Sequence, residues 1–204
     1  MSYPDPLTDR LLTAENAALL ILDFQPVQIR SVVTIDQERL VGNAAMLSRA
    51  AKLYRLPVIL STLKLSDETD PPAVPQVIEI APDAPQIVRT TLNPWEDDHF
   101  LDAVTATGRR KLIFAALWSE VVLSFAVLSA IQDGFEAYTV IDAIGGTSDL
   151  AHAAALSRMS EAGANQTSCV QLVCELQRDC GRTATVDEFL RLLSAINGPR
   201  PSGV

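Results

Sequence analysis

Apolar and polar positions follow two rhythms along this chain. Short, nearly continuous apolar runs recur at Ala18-Leu19-Leu20-Ile21-Leu22, Pro57-Val58-Ile59-Leu60, Lys111 to Leu117 and Phe135 to Ile141, and each reads as a strand, as do the stretches Gln86 to Thr90 and around Gln166 to Ser168. Between them lie stretches at helical spacing. Gln37 to Tyr54 places Leu40, Ala44, Leu47 and Ala51 on one face; Phe100 to Thr107, Glu120 to Gln132, Asp149 to Ala162, Val170 to Arg178 and Val186 to Ile196 read as further helices. Asp133-Gly134 closes one helix, and Ser148 caps another that Gly163 ends. Strands apolar on both faces imply a sheet covered on both sides, and alternation with helices implies parallel crossovers. The expected fold is therefore α/β, a three-layer α/β/α arrangement on a mostly parallel sheet. We expect one domain over residues 1–204, with a core at about 10–180, a C-terminal helix at about 185–197 and a tail at 198–204. One stretch breaks the rhythm. Ser61 to Pro85 is rich in Pro and Asp and too long for an ordinary connection; it reads equally as a site-lining insertion or as a solvated crossover with one short helix.

Composition narrows the partners. Hydrophobic residues make up 48% of the 204 residues and charged residues 20%, which suits a packed core. A net charge of −9 argues against nucleic acid, which needs clustered Lys and Arg, and against anionic membrane surfaces. No apolar run approaches the ~20 residues that cross a bilayer. The first residues lack a basic start followed by an apolar stretch, so no signal peptide is expected and the cytoplasm is the expected location. Cys169, Cys174 and Cys180 form an odd, sparse set that reads as free thiols. No glycine-rich phosphate-binding motif is present, and no cofactor is expected. Gly145-Gly146 reads as a tight turn.

The chemistry concentrates at three strand ends. Asp23 ends the first strand and is followed by Phe24-Gln25; Arg89 ends the strand Gln86-Ile87-Val88; Val122 lies in the first turn after Leu117. In a parallel sheet the ligand edge lies beyond the carboxyl ends of the strands, which puts these residues on one edge. Asp23 alone reads as an ordinary strand-end carboxylate, and Arg89 alone as a partner for some acid. Their order gains meaning from the segment KLIFAALWSEVVLSFAVLSAIQDGFEAYTVIDAIGGTS, residues 111–148. This segment, with Asn93-Pro94-Trp95, resembles the cysteine-hydrolase (isochorismatase-like) superfamily, whose pattern is close to G-[LV]-x-T-E-V-C-V followed by a helix and a strand ending in T-D-A-x-G-G-T. The resemblance spans roughly residues 10–180 and looks nearest to the arginine-bearing branch of small bacterial hydrolases of unknown substrate.

The resemblance implies a Rossmann-type fold, a homo-oligomer, and a site in which Asp23 and Arg89 match the family's aspartate and basic residue while Val122 stands where the nucleophilic cysteine belongs. It further implies that Phe24, Trp95, Leu117, Trp118 and Ser119 line a small-molecule pocket, and that the Leu117–Trp118 peptide is cis. The metal-binding histidines of the nicotinamidase branch are missing: the only histidines are His99 and His152, both read as surface or packing residues. An isopropyl group cannot attack a carbonyl, so the thiol-based amidase route is closed. Three readings stay open: an aspartate-dependent hydrolase acting on an amide, imide or vinyl ether; a non-catalytic binding or oligomeric scaffold on the same fold; and an engineered valine in a working enzyme. Ser119 and Ser124 are the nearest hydroxyls, but neither is a convincing replacement nucleophile: Ser124 lies two positions past Val122, and residues two apart on a helix do not share a face, while Ser119 stands where the resembling family has a threonine that shapes the turn.

Overall fold

The computed structural model describes residues 5–65 and 72–197. The elements run β1 (Ala17–Leu22), α1 (Pro26–Ser31), α2 (Gln37–Tyr54), β2 (Val58–Leu63), α3 (Pro75–Ile78), β3 (Gln86–Arg89), a 3-10 turn at Pro94–Glu96, α4 (Asp98–Ala106), β4 (Lys111–Ala116), a π-helical turn at Ser119–Leu123, α5 (Ser124–Gln132), β5 (Glu136–Val140), α6 (Asp149–Glu161), β6 (Asn165–Thr167), α7 (Cys169–Gln177) and α8 (Val186–Asn197). The six strands form one sheet in the order β3-β2-β1-β4-β5-β6, and every pairing is parallel. The chain winds outward from β1 to β3, then returns to the centre as β4 and winds the other way. Ligands of open α/β sheets gather where the winding reverses, which here is the gap between the carboxyl ends of β1 and β4.

The two central strands explain the apolar runs. Every residue of β1 and of β4 is buried. Successive side chains point to opposite faces. Leu19, Ile21, Ile113 and Ala115 thus join a core with Leu40, Leu47, Leu172 and Phe189 from α2, α7 and α8. Leu20, Leu22, Leu112 and Phe114 join a second core with Phe100, Val104, Val127 and Met159 from α4, α5 and α6. The sheet is therefore the middle of three layers, as expected.

Helix ends follow local chemistry. Ser148 accepts from the Ala151 N–H and caps α6, as the sequence predicts, while Asp36 caps α2 and Asp97 caps α4 in the same way. Gly134 adopts φ +84 just past α5, a left-handed conformation that favours glycine. α1 was not legible from the periodicity: it has only six residues, started by Pro26 in its first turn. The described part of the Ser61–Pro85 crossover holds one short helix, α3, and turns back so that the Val74 N–H donates to Phe24 O at 2.8 Å. Residues 66–71 of that crossover and the 198–204 tail lie outside the described residues.

Gly145-Gly146 is not the tight turn expected. Gly145 forms a parallel bridge with Leu117, and its carbonyl accepts from the Ser119 N–H at 2.9 Å. These glycines are required by close approach. A Cβ on Gly145 would lie 2.5 Å from Val32 Cγ1, and one on Gly146 would lie 2.8 Å from both Ser119 Oγ and Glu120 Oε2. Val32 is itself buried and stiff about χ1, so it cannot yield freely. Gly145→Ala is therefore expected to destabilise the fold by about 1–3 kcal/mol, the usual cost of overpacking, read as a lower midpoint in urea denaturation.

Candidate active site

Asp23 follows β1 directly and takes a left-handed backbone, φ 60, with its N–H donated to Ser61 O at 2.9 Å. Aspartate is one of the few non-glycine residues found there with any frequency. Arg89 is the last residue of β3, two strands away. Two strand spacings come to about 10 Å, a span that only a long side chain bridges. The guanidinium crosses over β2 and its Nη2 donates to Asp23 Oδ2 at 2.6 Å, while Nη1 donates to the Thr91 carbonyl. Both charged side chains are fully buried, and Arg89 heads the largest fully buried side chains. Asp23 Oδ1, Arg89 Nε and Thr91 Oγ1 have no partner among the described residues.

Burial and the guanidinium act on Asp23 in opposite directions. Removal from water disfavours the carboxylate and is the larger effect; the Arg89 charge and its hydrogen bond oppose it. The outcome is a carboxyl raised to about 6.

The Leu117–Trp118 peptide is cis. Leu117 donates its N–H to Leu22 O, which sets this corner beside Asp23 at the point where the winding reverses. The Trp118 ring is partly buried against the α2 side of the sheet, and its Nε1 donates to Ser31 Oγ at 2.6 Å, tying the corner to α1. Phe24 and Leu117 are wholly buried in the same core. Val122 is equally buried but belongs to the opposite core, with Leu22, Ala116 and Phe114. Trp95 lies in that second core too. Its ring meets Phe100, Phe114 and Phe135 at 5.6–6.2 Å, and its Nε1 donates to Asp133 Oδ2, which binds the 3-10 turn to the end of α5. The pocket-lining residues suggested by the sequence are thus divided between the two faces of the sheet.

Ser119 turns towards α6. Its Oγ lies 2.7 Å from His152 Nδ1 and 3.2 Å from Glu120 Oε2, and Glu120 Oε1 accepts from both the N–H and the hydroxyl of Thr147. Burial alone would raise the Glu120 carboxyl, but these donors hold it below its ordinary value, while burial lowers the His152 imidazole. An ionised carboxylate only accepts. The consistent assignment is His152 Nδ1–H donating to Ser119, and Ser119 O–H donating to Glu120. The Ser119 proton is therefore committed to a carboxylate, which weighs against a nucleophilic role.

Four participants were not singled out from the sequence. Glu120 and His152 meet only because α6 packs on the π-helical turn. Gln25 pairs like a strand edge with Leu63, its Oε1 accepting from the Leu63 N–H at 2.9 Å and its Nε2 donating to Leu63 O at 3.2 Å. Gln28 is buried with both amide atoms unpartnered among the described residues. The available signal was the spacing Gln25, Gln28, Ser31, a polar stripe one helical turn apart. His99 is exposed, and all three cysteines are free, with Cys169 buried. Among the described residues no group of three or more His, Cys, Asp or Glu is placed to hold a metal, and no helix is long and apolar enough to cross a membrane.

Comparison with known proteins agrees with this fold. The isochorismatase domain family matches residues 17–171. The probable hydrolase YcaC of Escherichia coli (strain K12) is 37% identical over 171 residues, covering 82% of this chain and 81% of that protein. The structure of YcaC from Pseudomonas aeruginosa with hexane-2,5-diol and covalent acrylamide superposes with a TM-score of 0.82 at 30% identity, covering 94% of this chain and 99% of the other. The Escherichia coli YcaC structure, described as an octameric hydrolase of unknown specificity, gives 0.81 at 32% identity, covering 96% and 98%. On both the matched domain and these relatives, the chain belongs to the isochorismatase family.

Proposed function

We propose that this protein is a small-molecule hydrolase that works without a thiol, with Asp23 delivering the proton. One observation carries the reading: burial raises the Asp23 carboxyl to about 6 even with Arg89 2.6 Å away. An aspartic acid at its ordinary value has lost its proton at neutral pH, whereas one near 6 still holds part of it, which is the requirement for a general acid. Arg89 occupies Oδ2, which leaves Oδ1 to present the proton.

A vinyl ether suits this arrangement. Proton transfer from Asp23 to the terminal alkene carbon gives an oxocarbenium ion; water adds to it, and the resulting hemiketal breaks its C–O bond to release an alcohol and a carbonyl compound. The proton lost by the adding water restores the acid. Arg89 stabilises the carboxylate left after the first transfer. No covalent bond to the protein is formed, so Val122 costs the reaction nothing.

The relatives support a small ligand and an assembled protein. One is described with hexane-2,5-diol and acrylamide, both small, and another as an octamer. Exposed apolar side chains, including Leu150 at 86% and Val33 and Val88 at 66%, suit a homo-oligomer. A second reading, a non-catalytic binding protein, is favoured by a different observation. Asp23, Phe24, Leu117, Ser119 and Val122 have no exposed surface in the protomer, so a ligand enters only if the surrounding segments move.

The first reading predicts that carboxyvinyl ethers are cleaved with kcat/KM falling about tenfold per pH unit above about 6, because the protonated acid is the active form. Asp23→Asn keeps a group that can bond Arg89 but cannot donate as an acid, and should lose about 10²–10⁴-fold in kcat/KM. An Asn variant at full rate, or a profile that rises through pH 6, removes Asp23 from the role. A second measurement separates the two readings. Val122→Cys is assayed against amides and imides alongside the native chain. If native protein cleaves no vinyl ether and the cysteine variant gains amidase activity, the native chain is a binding protein on a hydrolase frame.

A further inference from the structure

A cleft of about 650 Å³ opens at the amino edge of the sheet, the side away from Asp23 and Arg89. Its floor is the start of β2, with Pro57, Val58 and Ile59. The length of six-residue β2, about 20 Å, separates this floor from the opposite edge. The flanking helices present small side chains to it, Ser48 and Ala51 from α2 and Ala103 and Ala106 from α4. The segment from Ile80 to Pro85, which leads into β3, forms a further wall. Nothing in the chemistry described above uses this cleft.

The polar groups of its lining are few, and their charges are uneven. Lys52 and Arg55 are three residues apart, share a face at the end of α2, and both border the cleft. Among the described residues neither side chain has a hydrogen-bond or ion-pair partner. Asp83 is the single acid of the lining, so the cleft carries one positive charge in excess, on a protein whose net charge is −9. The neutral donors are already spent or missing. Ser48 Oγ donates to Ala44 O and Thr107 Oγ1 to Val104 O, while Pro57, Pro82 and Pro85 have no N–H.

Arg55 adds an independent observation. It ends α2 with φ 59, a left-handed conformation that glycine takes freely and a residue with a Cβ takes at a cost. Glycine is the usual residue at such a helix end. A cation there also suits the carbonyl end of the helix, and the experiment below separates that role from ligand binding.

We propose that this cleft is a second small-molecule site, and that it takes an organic anion with a compact apolar body, of the aryl carboxylate class. Its volume falls within the range of ligand pockets, about 300–1,000 Å³, and is about four times that of a cavity that takes a benzene ring, which leaves room for a fused two-ring body. The body lies against the alanines and prolines. The carboxylate meets Lys52 and Arg55, whose guanidinium can hold both oxygens at once. A neutral ligand of the same shape leaves the two cations unanswered. The site stands apart from the proposed chemistry at Asp23 and does not depend on it.

The test is calorimetric titration of the full-length protein, with the mass of the assembly and the thermal midpoint recorded for each variant without ligand. 2-Naphthoate is the probe, and 2-naphthamide, the same body without the charge, is the control. Native protein is expected to bind naphthoate more tightly than naphthamide. Lys52→Gln and Arg55→Gly are each expected to weaken naphthoate by about three- to tenfold and to leave naphthamide unchanged. The Arg55→Gly midpoint is expected to stay level or rise, because glycine suits the left-handed backbone. Ala106→Trp fills the cleft and is expected to abolish binding of both compounds. The proposal is overturned if native protein binds neither compound or binds both equally, or if Lys52→Gln and Arg55→Gly keep the native affinity, since the cations would then serve only the helix end. It is also overturned if Ala106→Trp binds naphthoate as native does, which moves the probe elsewhere, or if the cleft variants change the mass of the assembly, which makes this face a contact between copies of the chain.

Discussion

The ion pair between Asp23 and Arg89 is the constraint around which this edge of the molecule is organised. Taking two charges out of water costs several kcal/mol for each, and the chain meets that cost with a 2.6 Å contact across an intervening strand. The contact fixes much else. It requires β1 and β3 in the same sheet with parallel sense, so that both carboxyl ends face one way. It requires a side chain long enough to pass β2. It also leaves the aspartate divided between charged and neutral states near pH 6, because burial outweighs the guanidinium and raises the carboxyl to about 6. A surface pair of the same residues would have none of these consequences.

A second network, on the other side of the Leu117–Trp118 corner, holds the turn that follows. Ser119, Glu120, Thr147 and His152 join the π-helical turn to the start of α6, and Gly146 leaves the space they need. These groups satisfy one another, in contrast to the orphaned atoms around Asp23. The difference is informative. A closed polar network rigidifies what it joins, whereas each buried polar atom left unpaired carries a desolvation cost.

Much of this was legible in the sequence, and the reasons are physical. β1 and β4 declare themselves because strands buried on both faces admit almost no polar residue. Asp23 stands out because it ends such a run, Arg89 because it ends the short strand Gln86-Ile87-Val88, and Ser148 because its oxygen is a good helix cap. What stayed hidden depends on tertiary packing. α1 is too short for a periodic signal to accumulate. Glu120 and His152 are 32 positions apart and meet only when α6 docks. Trp95 packs among three phenylalanines that are distant in sequence or on other elements, a grouping that no spacing in the chain announces. Gly145 and Gly146 suggested a turn because that is what paired glycines most often mean; here a neighbouring valine and a serine hydroxyl demand the missing Cβ atoms.

The π-helical turn carries one consequence for how such a protein can change over time. A wider loop at Ser119–Leu123 takes up one residue more than an ordinary helical turn, and α5 resumes normal winding at Ser124. Loss of that extra residue would rotate everything downstream by about 100° and swing Ala126, Val127 and Ala130 away from the core they fill. Length in this segment is therefore locked, while the identity of the side chain at position 122 is held only by its fit among apolar neighbours. Sulfur and isopropyl are of similar size and both tolerate that company. The architecture therefore constrains the length of this segment more tightly than the chemistry of the side chain at position 122.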